Sequence, residues 1–191
     1  PPSSSTSAPA TTEPAPTTPK PTPKPTTKAA PAAALPLSYS TGDATQLITV
    51  AATSTSRTTA TIQAWDKSGT TWVKHGPAIS GHVGSQGLAT APSESKSATP
   101  IGSFTLTQAF GALNNPGTSL PYFQTTSADW WISQTTGAGA SLYNTHQRCS
   151  GTCPFTQGSP NEHLMYETPY YNYAVVIDYH APYVGAGSAF F

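Results

Sequence analysis

Apolar and polar positions alternate in part of this chain with a period of two, the spacing of a pleated strand that buries one face. Residues 58–65 show it best. Ala60, Ile62 and Ala64 fall on one side, and Thr61, Gln63 and Trp65 on the other. Residues 45–50 (Thr-Gln-Leu-Ile-Thr-Val) are β-branched and apolar enough for a neighbouring strand. Asp66-Lys-Ser-Gly69 is a short glycine-bearing turn, and residues 70–75 follow it, so this pair is predicted to be a β-hairpin. Further strands are predicted at 101–106, 129–133 and 173–179, the last being the most apolar and aromatic run present. After a Gly/Pro-bearing turn at 180–187, residues 188–191 (Ser-Ala-Phe-Phe) read as the start of another strand. Residues 76–100 are rich in Gly, Ser and Ala and predict a long functional loop with at most one short strand.

Helix signals are scarce. Ser159-Pro160-Asn161-Glu162 is a capping box with proline at the first helical position, which predicts a short helix to about Tyr166. It should stop there, because Pro169 disfavours the α region for Thr168. The expected class is therefore mainly β, with one or two short helices and no internal repeat. The pattern breaks off in the apolar part of a strand, whereas chain ends are usually polar. The domain, and with it the reactive group, is therefore expected to continue beyond Phe191.

Composition divides the 191 residues into two materials. Residues 1–36 hold 11 of the 20 prolines, no aromatic residue and no cysteine. Such a segment has too little apolar surface to offset its ordering entropy, so a disordered Pro/Thr/Ser/Lys-rich linker is expected. At about 3.1 Å per residue in polyproline II form it would reach on the order of 100 Å, which suits a spacer. Residues 37–191 carry all four Trp, all nine Tyr, all six Phe and both Cys, enough for one core.

Lys20, Lys24 and Lys28 against Glu13 make the linker basic by two charges, and the remainder is acidic by two. No patch resembles the basic footprint of a nucleic-acid binder. Only 8% of residues are charged, a composition common among secreted β-rich proteins. No stretch approaches the ~20 apolar residues that span a bilayer. A first residue other than Met leaves room for an export signal upstream, so a secreted or envelope location is expected, with a possible membrane tether ahead of the linker.

The candidate chemistry is modest. Cys149-Ser-Gly-Thr-Cys153, in a chain expected to be exported, most simply forms a small-loop disulfide. Two alternatives remain at this stage. His146, Cys149, Cys153 and His163 could form a zinc site, or one cysteine could be a catalytic thiolate beside Arg148. His163 is a helix-surface or core-edge imidazole, or else a wall of a substrate cleft. His75, His82 and His180 read as solvated or turn residues. Trp130-Trp131 point to opposite faces of a strand, so one could stack on a sugar, or both could be packed. No G-x-S-x-G element is present, and Gly81-His-Val-Gly-Ser-Gln-Gly87 lacks the Lys-Ser/Thr of a phosphate-binding loop.

Several stretches, taken in order, carry a resemblance. Ser97-Ala-Thr-Pro-Ile-Gly-Ser-Phe-Thr-Leu106 resembles the T-P-x-G-x-F segment of YkuD-type L,D-transpeptidases. Ala109-Phe-Gly111, residues 116–122, Trp130-Trp131, Tyr143-Asn144, Glu162-His-Leu164, residues 173–179 and Gly187-Ser-Ala-Phe-Phe191 follow with spacing similar to that of secreted actinobacterial members. The resemblance covers roughly residues 43–191.

It implies a β-sandwich-like domain that transfers acyl groups between peptidoglycan stem peptides through a cysteine thioester, with no cofactor or metal. The partner implied is peptidoglycan, and the domain is expected to act as a monomer. The family's thiol lies in a Ser/Thr-x-Gly-Cys motif with a preceding His. The resemblance places both beyond Phe191, so no catalytic residue is expected within this chain and the chain as given is expected to be inactive. The substrate-cleft candidates are Tyr122, Trp131, Tyr143, Asn144 and His163. A rival expectation is a non-catalytic wall- or glycan-binding module on the same scaffold.

Overall fold

The computed structural model describes residues 33–165 and 169–191. Residues 1–32 of the expected linker lie outside the described residues. Ala33 already touches the domain, donating its backbone N–H to Trp72 O at 3.0 Å. The class is mainly β, as expected, and the only helical pieces among the described residues are 3-10 turns at Ala138–Leu142 and Tyr170–Asn172.

The first sheet is antiparallel and contains β1 (Gln46–Ala51), β2 (Thr59–Ser68) and β3 (Thr71–His82) in that order. The predicted hairpin is present, but its turn is tighter. Ser68 pairs with Thr71, leaving Gly69-Thr70 as a two-residue loop with Gly69 at φ 60°. Glycine occupies that left-handed position without a Cβ clash. β3 runs far into the stretch expected to be a loop, because Ile79, Ser80 and Gly81 continue to pair with β2. The register shifts between Ile62 and Ala64, and the Gln63 amide spans the irregularity by donating to His75 O (3.2 Å) and Gly76 O (3.1 Å). A side chain thus supplies bonds that the ladder loses there. The remainder of the expected loop contributes β4 (Leu88–Ala89), paired in parallel with β5 (Thr99–Pro100).

Two further small sheets carry the core. One has β11 (Ala174–Ile177), β6 (Leu106–Gly111) and β7 (Tyr122–Gln124) in that order. The other has β10 (Glu162–His163), β8 (Asp129–Trp131) and β9 (His146–Arg148). The strand expected at 101–106 forms later in the chain, since of those residues only Leu106 is in β6.

The helix expected from residue 159 does not form in its described part. The Asn161 side chain is used elsewhere: Oδ1 accepts the N–H groups of Ser133 and Gln134, both at 2.9 Å, and Nδ2 donates to Thr156 O. Glu162 and His163 pair instead with Trp131 and Trp130. Tertiary bonds to a buried loop override the local capping signal. Tyr166, the expected end of that helix, lies outside the described residues.

Adjacent residues on β8 face opposite ways, and both faces are buried. Trp131 packs with Phe110, Leu164 and Val176. Trp130 packs with Ile132 and Phe155, against the Cys149–Cys153 disulfide. Neither indole is a free stacking platform, with exposures of 7% for Trp130 and 4% for Trp131. Of the two readings of this pair, packing of both rings holds and sugar stacking does not.

The segment 188–191 is not a strand. Gly187 has φ 107° and Ala189 φ 55°, which turn the backbone out of the extended path. One ladder-like bond remains, from Ile177 N–H to Phe190 O at 3.0 Å. Phe191 is seated edge-on against Trp131 (4.9 Å) and Phe110 (5.0 Å), so its ring joins the first core cluster. Phe190 turns to Tyr179 at 5.1 Å.

Candidate functional site

Two adjoining cavities open beside the end of β11. The first, about 340 Å³, is lined by Thr107, Gln108, Trp131, Asn144, His146 and residues 176–179, among others. The second, about 530 Å³, is lined by Tyr143, Asn144, Asp178, Tyr179, His180, Tyr183 and their neighbours. Asn144, Asp178 and Tyr179 belong to both. A register shift between Val175 and Ile177 gives β6 one extra residue against β11, over Thr107 and Gln108. Those two residues line the first cavity, so the irregularity forms part of its wall.

Asn144 is the hub between the cavities. It sits at φ 55°, a left-handed conformation that asparagine tolerates better than most residues. Its Oδ1 accepts Trp131 Nε1–H at 2.9 Å and Ala189 N–H at 3.2 Å, while Nδ2 donates to Tyr179 O at 2.9 Å. One side chain therefore ties β8, the end of β11 and the segment that precedes Phe191. With both its oxygen and its nitrogen engaged, Asn144 is a clasp that shapes the cavity wall.

Tyr143 performs a parallel task one residue earlier. Its hydroxyl donates to the Glu94 carboxylate and accepts Gly187 N–H at 2.9 Å. Ser188 Oγ also reaches Glu94 Oε1 (2.8 Å) and Ser133 Oγ (2.7 Å). Burial, and then the neighbouring Glu94 charge, push the Tyr143 phenol well above its ordinary range. It therefore stays protonated and acts as a hydrogen-bond bracket.

Of the five cleft candidates, Trp131, Tyr143 and Asn144 are brought together here and two are not. Tyr122, on β7, donates to Leu113 O at 2.6 Å and fastens a loop elsewhere. His163 stacks on Trp130 at 4.2 Å and donates from Nε2 to Ser127 O at 2.9 Å, on the opposite side of β8 from Trp131. Its strand position fixes that outcome, because His163 pairs with Trp130 and so shares its face.

The sequence reading missed a buried ionic group behind the first cavity. Asp129 is fully buried. Its oxygens accept Arg148 Nε (2.8 Å) and Nη2 (3.1 Å), His146 Nε2 (2.8 Å), and both the N–H and hydroxyl of Thr126 (2.7 Å each). Burial alone would raise its pKa, but the Arg148, Thr126 and His146 bonds outweigh that and hold it at about 2. Asp129 opposite Arg148, with His146 two residues before it on the same face, is a cross-strand signal that the sequence does carry.

Cys149 and Cys153 form a disulfide, the simplest of the sequence alternatives. Both sulfurs are therefore unavailable as thiolates, which removes the zinc set and the catalytic-cysteine reading for these two residues. No cluster of three or more metal-ligating side chains exists among the described residues. No helix among them is long and apolar enough to cross a membrane. Comparison with protein-family models, with curated proteins and with solved structures gives no match.

Proposed function

We propose that residues 33–191 are the scaffold and substrate groove of an extracytoplasmic L,D-transpeptidase-like protein that acts on peptidoglycan stem peptides by cysteine acyl transfer. The observation that carries this reading is a convergence. Segments that bear the resemblance, though far apart in sequence, meet at the Asn144 clasp: Trp131 from one, Tyr143-Asn144 from another, and Gly187–Ala189 from a third. Ordering of this kind costs conformational entropy and is expected where a neighbouring reactive group must be aimed.

In this chemistry a thiolate attacks the amide carbonyl of a donor stem and releases the terminal amino acid. The amine of an acceptor stem then attacks the thioester and regenerates the thiol. The thiol is not assigned to Cys149 or Cys153, which are bonded to each other. Residues 1–191 alone are therefore expected to bind a stem tetrapeptide without forming a covalent adduct.

The test is a nuclear magnetic resonance titration with a stem tetrapeptide, followed by intact mass spectrometry. Saturable shifts of the Trp131 indole N–H and the Asn144 side-chain amide, with no mass increase, are the expected result. Absence of those shifts sinks the proposal. Shifts produced by glycan strands stripped of stem peptides would favour the wall-binding alternative.

A further inference from the structure

We propose that the groove shared by the two cavities is a cation-recognition site in which Asp178 receives a primary ammonium group of the ligand. Among all residues lining the two cavities, Asp178 is the single formally charged side chain, and neither Lys nor Arg is present. It sits where the cavities join, one residue past β11. Its side chain is 28% exposed, so the charge is reachable but partly shielded from solvent.

One oxygen is already placed. Oδ2 accepts Thr105 Oγ1–H at 2.9 Å and lies 3.3 Å from His180 Nε2. Oδ1 accepts no hydrogen bond from any described residue, which leaves an acceptor aimed by a fixed partner. Phenol rings supply the surroundings. Tyr179 lines both cavities and Tyr183 the second, and a cation beside a carboxylate gains further from aromatic faces. Tyr179 is held by its own hydroxyl, which donates to Ala186 O at 3.2 Å. Of the other titratable groups near the groove, His146 is committed to buried Asp129 and Tyr143 to Glu94, while exposed His180 stands against Asp178 Oδ2. A ligand ammonium therefore meets a carboxylate whose Oδ1 is open, with the exposed His180 imidazole against Oδ2, and a ligand carboxylate meets repulsion. Naming that ammonium as the side-chain amine of a stem peptide rests on the function proposed above. The ammonium site itself does not.

The experiment titrates residues 1–191 with cadaverine, a five-carbon diamine, and with 1-pentanol as the uncharged match. Saturable shifts at Asp178, Tyr179 and Tyr183 are expected with cadaverine and not with the alcohol. Asp178→Asn should weaken cadaverine binding about tenfold, as expected for loss of a charge-assisted bond. Tyr183 is 67% exposed, so Tyr183→Ser tests the groove with little risk to folding and should weaken binding by about threefold. Equal shifts with pentanol, no shifts with cadaverine, or cadaverine binding unchanged in both variants overturn the site. A lysine-containing stem tetrapeptide and its side-chain-acetylated form separate the two proposals. Cadaverine binding without tetrapeptide binding sinks the stem-peptide reading and upholds the ammonium site. Tetrapeptide binding unchanged by acetylation upholds the stem-peptide reading and sinks the assignment of its side-chain amine to Asp178.

Discussion

The β1–β2–β3 sheet has strands of 6, 10 and 12 residues, the last two the longest among the described residues, whereas β7 to β10 have two or three residues each. Yet the side chains most completely buried, Phe110, Ile132, Leu164 and Asp129, all lie in the second region. The long sheet leaves Ile48, Val50 and Ile79 substantially exposed. Ladder length reports local propensity and pairing. Core and cavity are decided by what the side chains meet, and here that is arranged by short strands stitched together through Asn144, Asn161 and Asp129. The region with the least regular backbone is therefore expected to be the more sensitive to substitution.

The largest effect should come from Trp131→Ala. The indole fills a cluster with Phe110, Leu164, Val176 and Phe191, and its N–H is bonded to Asn144. Removing it should cost about 4 kcal/mol, read from urea unfolding monitored by fluorescence. A cost near that of a surface substitution would break the contrast between the two regions.

Asp129→Asn comes next. The amide keeps the shape but loses the charge that Arg148 and His146 require, and it must turn a donor toward other donors. A loss of about 3 kcal/mol is expected. The pH dependence sharpens this. The folded pKa of Asp129, about 2, lies below its ordinary value of 3.8. Its contribution is thus fully present above about pH 4 and is lost as pH falls through 2. Stability curves of the native and Asp129→Asn proteins should therefore converge on acidification, and parallel curves between pH 5 and 2 would refute the assignment.

Asn144→Ala should cost less, about 2 kcal/mol, because it orphans the Trp131 and Ala189 N–H groups without opening a large void. Its signature is local. Amide exchange at Ala189 should accelerate more than exchange in β2, and uniform acceleration would argue against a clasp.

What was legible in the sequence follows the same division. The hairpin of β2 and β3 was readable because alternation and a glycine turn are local signals. The extension of β3 past Gly76 was not, because glycine and proline there mimic loop chemistry while pairing with β2 decides the outcome. The capping box at Ser159 was a sound local reading overruled by the bonds of Asn161 to Ser133 and Gln134, 28 and 27 residues away in sequence. Trp131, Tyr143 and Asn144 were legible as a group, and Tyr122 and His163 were misplaced because strand face is set by pairing partners that no local window contains. Asp178 was passed over for the same reason. In sequence it is one more residue of an apolar strand, and only the fold puts it where two cavities meet.

The smallest effect is expected on the exposed face of the long sheet. Val50, Ile62 and Ile79 stand opposite one another across its three strands, forming an apolar row. The other face of the sheet buries Trp65, whose Nε1–H donates to Thr49 Oγ1 at 2.9 Å. Ile79 is 59% exposed, so little of its surface leaves water on folding. Threonine preserves the β-branch and the strand preference while removing apolar area. Ile79→Thr should therefore change stability by no more than about 0.5 kcal/mol, measured by the same urea titration as Trp131→Ala. A cost of about 2 kcal/mol would mean that this row is covered in solution. The long sheet would then share the burden of burial with the short strands, and the contrast between the two regions would fail.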